Sequence, residues 1–207
     1  DVYKRQLHHE THRATSRRTA PRTQKRPPPV NYRALIARHY PTDSSLRRLL
    51  LLHSGQVCRR ALDIARRHPE LGADLALVEA GAMLHDIGIF RCHAPGIACF
   101  GTEPYICHGR IGAEILRSEG YPQHARVCER HTGAGLTKQE IIAQHLPLPH
   151  EDFLPETLEE QVICYADKFY SKSHPTDEKP LAAVEATMAR FGADSLQRFR
   201  AWDARFR

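Results

Sequence analysis

An adjacent histidine and aspartate follow a long apolar run in the segment GAMLHDIGIF, residues 81–90. This pair restricts the possible folds more than any other feature of the chain. The run is apolar enough to be buried, and an ionised carboxylate is costly to bury unless a cation lies against it. The fold must therefore bring cationic or metal-ligating groups from elsewhere in the sequence to His85 and Asp86.

Helical periodicity recurs from residue 43 onward, and no segment alternates over the length of a strand. Thr157 and Glu160 form a capping-box pattern, and Gly88 is expected to end its helix in a left-handed turn. A Gly- and Pro-rich loop is expected at 91–107. The sequence thus predicts one compact all-α domain. Its helices are expected at about 44–68, 74–87, 108–119, 122–131, 138–144, 157–171, 181–191 and 194–206.

The formal net charge of +6 lies entirely in residues 1–30, which hold eight Lys or Arg and two acidic residues. Residues 31–207 hold 22 of each sign, so nucleic-acid binding is not expected of the folded part. The first 30 residues lack apolar periodicity and predict a disordered basic tail. It could be a nucleic-acid-binding arm, a targeting peptide, or a stretch that is not native to the protein. The third interpretation is favoured because the chain does not begin with Met, and no function is assigned to the tail.

The six cysteines are scattered without any Cys-x-x-Cys pair, and no apolar run has the roughly 20 residues of a membrane helix. We therefore expect reduced thiols, a cytoplasmic location and no membrane partner. Three of these cysteines fall in the 91–107 loop, where a disulfide or an extra metal site is conceivable. The cysteines are Cys58, Cys92, Cys99, Cys107, Cys128 and Cys164.

Six side chains suited to metal ligation fall on five of the predicted helices. Any one of these residues, taken alone, is more simply interpreted as a core residue with one hydrogen bond than as a metal ligand. Together, on helices that must pack against one another, they indicate a shared metal site. Imidazole and carboxylate suit divalent transition metals, so we expect one or two ions of Mn, Fe, Ni, Co or Zn. The six residues are His53, His85, Asp86, His108, His131 and Asp167.

The ordered set of His, His-Asp and Asp resembles the HD superfamily of metal-dependent phosphohydrolases. The flanking segments carry the same resemblance, and LHDIG matches its HDIG subgroup. The segments are LLHSGQV, GAMLHDIG, CHGRIGAEIL, ERHTGAGL and ICYADKF. The similarity makes 46–175 the metal-site core of an HD-type domain at 31–207, with C-terminal helices at 176–207.

Carried over to this sequence, the resemblance implies one ion held by four residues: His53, His85, Asp86 and Asp167. His108 and His131 match the pair that holds a second ion in some members, and Asp86 would then bridge the two ions. Such ions lower the pKa of water toward neutrality and supply hydroxide for in-line attack on phosphorus.

Negative charge that develops on the phosphoryl oxygens needs positive partners near the metal site. Lys168, next to Asp167, is the expected catalytic and substrate-binding cation, with Asp86 as the other catalytic residue. Lys172 is expected one turn later on the same helix face as a second substrate-binding residue. Arg130 is expected to point elsewhere, and the 91–107 loop to form a lid or specificity wall.

The resemblance implies hydrolysis of a phosphate ester or phosphoanhydride in a small, nucleotide-like substrate. CHGRIGAEIL and RHTGAGL also resemble segments of enzymes that cleave diadenosine tetraphosphate symmetrically. The Gly-Tyr-Pro at 120–122 precedes His131 and fits a junction between helices, which disfavours hydrolysis of cyclic-di-GMP. Two other interpretations stay open: an HD module that senses nucleotides without turnover, and a helical bundle whose histidines are core residues.

Overall fold

The computed structural model describes residues 30–174 and 177–207, so residues 1–29 of the predicted disordered tail lie outside the described residues. The described chain is mostly helical, which confirms the predicted all-α class. None of its helices combines the length and the apolar character needed to cross a membrane. In chain order the helices are α1 Tyr32–His39, α2 Ser45–Arg67, α3 Leu75–Leu84, α4 His108–Ser118, α5 Pro122–Arg130, α6 Lys138–Ala143, α7 Leu158–Asp167, α8 Leu181–Phe191 and α9 Ala193–Phe206.

Helices α2 and α3 each begin at a residue whose side chain caps the helix. The Ser44 hydroxyl accepts a hydrogen bond from the Arg47 amide at 3.1 Å, and the Asp74 carboxylate accepts from the first amides of α3. The sequence of α3 is apolar on almost every face, which is typical of a helix with neighbours all round. Helices α2, α5 and α7 all pack against it.

Two elements were not predicted. Helix α1 spans only two turns, too short for a clear periodicity, and is capped by Asn31, whose side chain accepts from the Ala34 amide. The predicted 91–107 loop contains a small sheet in the order β2-β1-β3, built from β1 Cys92–Ala94, β2 Cys99–Phe100 and β3 Glu103–Pro104. The three cysteines of this loop form no disulfide, and all six in the chain are buried free thiols.

Helix α7 has the predicted capping box but ends earlier than expected. The Glu160 amide donates to the Thr157 hydroxyl, and the Glu160 carboxylate accepts from the Thr157 amide. After Asp167 the amides of residues 168–170 donate to carbonyls three residues back, which tightens the chain and ends the helix. The predicted end at Ser171 is therefore wrong, and Lys172 does not lie on the helix face that the sequence indicated.

Apolar side chains form two large clusters. The first joins α2, α3, α5, α7, α8 and α9 through residues such as Val57, Ile163 and Phe199. The second joins α1, α4 and the small sheet to the same α2, α3 and α5, with Leu50 and Leu84 among its members. Since α2, α3 and α5 contribute to both clusters, their positions are fixed from two sides, and so are the polar side chains that they carry.

Gly88 is required for close packing and not for a left-handed turn. Its φ and ψ are −81° and −9°, in the right-handed region, so the predicted conformation is wrong. A Cβ atom at this position would lie 2.3 Å from the His108 carbonyl oxygen and 2.5 Å from the Gly112 amide nitrogen. The missing side chain therefore allows α4, and His108 with it, to approach the end of α3.

Replacing Gly88 with alanine should destabilise the protein. We expect the free energy of unfolding to fall by about 2–3 kcal/mol, because backbone atoms of α4 must move to admit the methyl group. Urea denaturation followed by circular dichroism measures the change. The matched control is Gly55→Ala in α2, where the new Cβ meets only an Arg59 guanidinium nitrogen at 3.7 Å. The control should be neutral or stabilising, and equal losses in both variants would contradict the packing argument.

Candidate metal centre

Six buried polar side chains converge where α2, α3, α4, α5 and α7 meet. His53 lies on the buried face of α2, and the next pair follows the last residue of α3. The others begin α4, follow the end of α5, and end α7. Relative exposure is at most 8% for every member of the set. The residues are those predicted as metal ligands: His53 1%, His85 0%, Asp86 0%, His108 5%, His131 2% and Asp167 8%.

Four donor atoms form the first group. The His53 Nε2 atom lies 3.0 Å from Asp167 Oδ1, 3.3 Å from Asp86 Oδ2 and 3.3 Å from His85 Nε2. The His85 Nε2 atom lies 3.2 Å from Asp86 Oδ2 and 3.5 Å from Asp167 Oδ1. Two ligands about 2.1 Å from one ion, roughly 90–110° apart, are themselves about 3.0–3.4 Å apart. The spacing suits a shared cation.

A second group uses the other oxygen of the same aspartate. The Nε2 atoms of His108 and His131 lie 3.0 Å apart, and each is 3.5 Å from Asp86 Oδ1. Oδ2 of Asp86 faces the first group and Oδ1 faces the second. Each oxygen of Asp86 therefore lies against a separate group of donors.

The hydrogen bonds of the imidazoles leave their lone pairs facing one another. Each Nδ1 atom of His85, His108 and His131 lies 2.6–2.7 Å from the carbonyl oxygen three residues earlier. A carbonyl oxygen only accepts, so Nδ1 carries the hydrogen and Nε2 of a neutral ring carries a lone pair. The Asp86 Oδ1 atom has no hydrogen-bond partner among the described residues. A divalent cation would satisfy these acceptors, so the donor set fits a metal.

The electrostatics of the site agree with this arrangement. Burial, together with the neighbouring His131, lowers the pKa of His108 to about 3, so this imidazole is neutral. Burial opposes ionisation of Asp86, but Lys172 and His85 outweigh it and hold the pKa well below its ordinary value. Burial also opposes a charge on His85, yet the carboxylates raise its pKa to about 9. The potential here favours a positive charge, which a protonated imidazole or a metal ion supplies.

Both predicted substrate-binding lysines reach the cluster, each against one carboxylate. The Lys168 Nζ atom lies 2.7 Å from Asp167 Oδ2 and donates to the His131 carbonyl oxygen at 2.7 Å. The Lys172 Nζ atom lies 2.7 Å from Asp86 Oδ2. Arg130 points away from the cluster and donates to the Leu154 carbonyl oxygen. Each of the two carboxylates therefore has a lysine ammonium against it, in addition to the imidazoles of the cluster.

An open cleft of about 430 Å³ adjoins the cluster at Lys172. Its lining includes residues 94–97 and Tyr105, which belong to the loop that we expected to act as a lid or specificity wall. The rest of the lining comes from residues 170–173 and Lys179. A group held in this cleft would lie beside the ammonium that pairs with Asp86.

Tyr105 is a site residue that the sequence argument missed. Its ring stacks on His108 with a centroid distance of 4.7 Å, and its carbonyl oxygen accepts from His108 Nδ1. The Lys172 ammonium lies 6.0 Å from the centroid of the same ring. The sequence offered one signal for this contact. Tyr105 lies three residues before His108, as Ala82 lies three residues before His85, and in both pairs the earlier carbonyl oxygen accepts from the histidine Nδ1.

The C-terminal helices brace the loop that follows His131, a role that the sequence did not indicate. Arg198 of α9 donates to the carbonyl oxygens of Ala134 and Gly135 at 2.9 and 3.0 Å. The Ser195 hydroxyl accepts from the Ala134 amide at 3.4 Å. Helix α9 therefore fixes the backbone beside one of the six candidate ligands.

The family model described as HD domain matches residues 50–171, which is more than half of the chain. The chain therefore belongs to the HD domain family, and the resemblance seen in the sequence is confirmed at this level. Membership of the HDIG subgroup stays a prediction. The matched range includes all six candidate ligands and Lys168, and it ends one residue before Lys172.

Three curated relatives share parts of this sequence. An uncharacterized protein of Methanocaldococcus jannaschii is 44% identical over 107 residues, covering 51% of this chain and 56% of its own. The tRNA (cytidine(56)-2′-O)-methyltransferases of Picrophilus torridus and Thermoplasma volcanium are each 37% identical, over 64% and 59% of this chain. These matches cover 35% and 32% of the two enzymes. The chain thus spans between a third and just over half of the length of these relatives.

Among solved structures, the HD domain of the phosphodiesterase PgpH from L. monocytogenes is similar, with a TM-score of 0.47 and 17% sequence identity. The superposition covers 83% of this chain and 94% of that domain.

Replacing Arg198 with methionine should loosen the loop beside His131. We expect the free energy of unfolding to fall by about 1–3 kcal/mol, because two backbone carbonyls lose a charged donor. Urea denaturation measures the loss. The control is Arg200→Met on the same helix, where the guanidinium forms an exposed ion pair with Glu185 that contributes little. A loss in the control as large as in Arg198→Met would contradict the bracing role.

Proposed function

We propose that this chain is a metal-dependent phosphohydrolase that cleaves a phosphate ester or phosphoanhydride in a small, nucleotide-like substrate. The observation that carries the proposal is the sharing of Asp86 between two groups of buried imidazole and carboxylate donors. Two lysines and an open cleft adjoin those groups. Membership of the HD domain family supports the same reaction class.

In this proposal the first ion is held by four residues: His53, His85, Asp86 and Asp167. The second ion is held by Asp86 with His108 and His131. The imidazole-rich donor set favours Mn, Fe, Ni, Co or Zn over Mg. When bound, such ions polarise a phosphoryl group and lower the pKa of water toward neutrality.

The lysines would supply the positive charge that a phosphoryl group needs as its bonds change. Each ammonium is now paired with a carboxylate that the proposal assigns to a metal ion. Once the carboxylates share their charge with metal ions, Lys168 and Lys172 can also bind phosphoryl oxygens. Lys172 lines the cleft and would hold the substrate there. Lys168 is more deeply buried and would act closest to the reacting phosphorus.

The size of the cleft suits a small molecule. Its volume of about 430 Å³ lies in the range of ordinary small-ligand sites. The M. jannaschii relative is an uncharacterized protein and suggests no activity. The methyltransferase names describe whole proteins of which this chain matches about a third. The substrate class therefore rests on the site and on the family, with a dinucleoside tetraphosphate as one member of the class.

The metal assignment predicts the effect of removing ligands. His85→Ala and Asp86→Ala should weaken metal binding by more than about 100-fold, since even the outer-shell partners of ligands contribute about 10–100-fold. Metal content after dialysis, measured by mass spectrometry, checks this. EDTA should lower the melting temperature of the wild-type chain and leave both variants unchanged, because a ligand stabilises only the fold that binds it.

The matched control for these variants is His150→Ala, which removes an exposed imidazole outside the cluster. It should retain wild-type metal content and the wild-type response to EDTA. Full metal content in either ligand variant would place the metal elsewhere. A wild-type chain that binds no metal would leave the histidines as core residues.

The reaction class predicts turnover of phosphate esters by the metal-loaded chain. Nucleoside mono- and triphosphates, cyclic nucleotides and a dinucleoside tetraphosphate, each with Mn²⁺, Co²⁺, Ni²⁺ or Mg²⁺, form the test panel. Lys168→Met should lower kcat/KM for the best substrate by about 10²–10³-fold, because it removes a donor to developing negative charge. Phosphate release measures the rate, and metal content is measured in parallel.

The control for Lys168→Met is Lys138→Met, which removes an exposed lysine at the start of α6. It should keep the wild-type rate. Nucleotide binding with no release of phosphate under any metal would favour the sensing module. A Lys168→Met variant with normal metal content and a normal rate would exclude this lysine from catalysis.

A further inference from the structure

Lys179 stands apart from the other lysines near the site. It lines the cleft together with Lys172, and it is half-buried. The other two ammonium groups pair with Asp86 and Asp167. Lys179 makes no ion pair or side-chain hydrogen bond within residues 30–174 and 177–207. Among the described residues that line the cleft, Lys179 is therefore a cation with no carboxylate in direct contact, although the Asp167 carboxylate acts on it from a distance.

The backbone that carries Lys179 is held firmly against the core. The Lys179 amide donates to the Phe169 carbonyl oxygen at 2.8 Å, and the neighbouring Glu178 forms an ion pair with Arg60 at 2.5 Å. The Arg60 guanidinium lies 3.5 Å from the centroid of the Phe169 ring, which secures it in turn. The backbone of Lys179 is therefore held in place beside the cleft that this residue lines.

The lining of the cleft combines two kinds of residue. Residues 94–97 include Ala94, Pro95 and Ile97, which are apolar, whereas the segment from 170 onward contributes two lysines together with Ser171 and Ser173. This combination suits a molecule that has both linked phosphates and an organic group. Burial lowers the pKa of Lys179, and the Asp167 carboxylate opposes this effect only in part. An anion bound beside the ammonium would favour its charged form.

We propose that Lys179 binds the second phosphate of a substrate that has two or more linked phosphates, with the terminal phosphoryl group at the metal centre and Lys172. The inference rests on the proposed function and narrows it to organic diphosphates and longer polyphosphates. Lys179 then determines specificity, because a monoester has no phosphate within its reach. Residues 94–97 would contact the organic group.

Binding to the full 207-residue chain loaded with Mn²⁺ tests this without relying on turnover. The probes are inorganic orthophosphate, which occupies only the terminal position, and α,β-methylene-ADP, whose linked phosphates reach both positions. Calorimetry should show that Lys179→Met weakens binding of α,β-methylene-ADP by about tenfold or more, the effect of one charged hydrogen bond. Orthophosphate affinity should change less than about twofold. Lys179→Arg should restore most of the loss, and Lys138→Met should match the wild type for both probes.

The other outcomes separate this inference from the proposed function. Equal weakening of both probes, or unchanged binding of α,β-methylene-ADP, would overturn the role of Lys179. Orthophosphate binding to the wild type would in that case leave the phosphohydrolase proposal standing. If the wild-type chain binds neither probe, both proposals fail.

Discussion

The structure depends on the requirement that the buried Asp86 carboxylate be neutralised. It is fully buried, and histidines from three other helices or helix ends point their Nε2 atoms at it. Acceptors concentrated in this way repel one another unless protons or cations lie between them. Other contacts hold the helices that carry these acceptors in place against this repulsion. They are the two apolar clusters, the close packing at Gly88 and the hydrogen bonds from Arg198.

The same requirement links the metal centre to the cleft. Lys168 and Lys172 pair with the two carboxylates, so their charge and that of a metal ion act on the same groups. Loading the site with cations would raise the positive potential that a phosphate meets at the cleft wall. We therefore expect the affinity for metal ions to rise when phosphate is bound, and the affinity for phosphate to rise when metal is bound. This coupling is electrostatic and requires no conformational change of the protein.

Much of the fold and of the candidate site followed from local rules. The capping box at Thr157 and the apolar run of α3 predicted helices that the structure contains. The six candidate ligands were named because imidazole and carboxylate recur in order on predicted helices, and the structure brings all six together. Two errors remain. Helix α7 ends early in a tighter local turn, and the glycine at 88 serves long-range packing against α4.

The sequence by itself determined most of the helices, the residues that have metal-ligating side chains, and the family to which the chain belongs, because these depend on short-range pattern and residue type. Only the tertiary structure decided which atoms meet. It showed that Asp86 faces two groups, that Lys172 reaches it from outside the helix, and that Tyr105 stacks on His108. It also placed Lys179 in the cleft. Such contacts join residues far apart in the chain, and local pattern does not specify the distances between them.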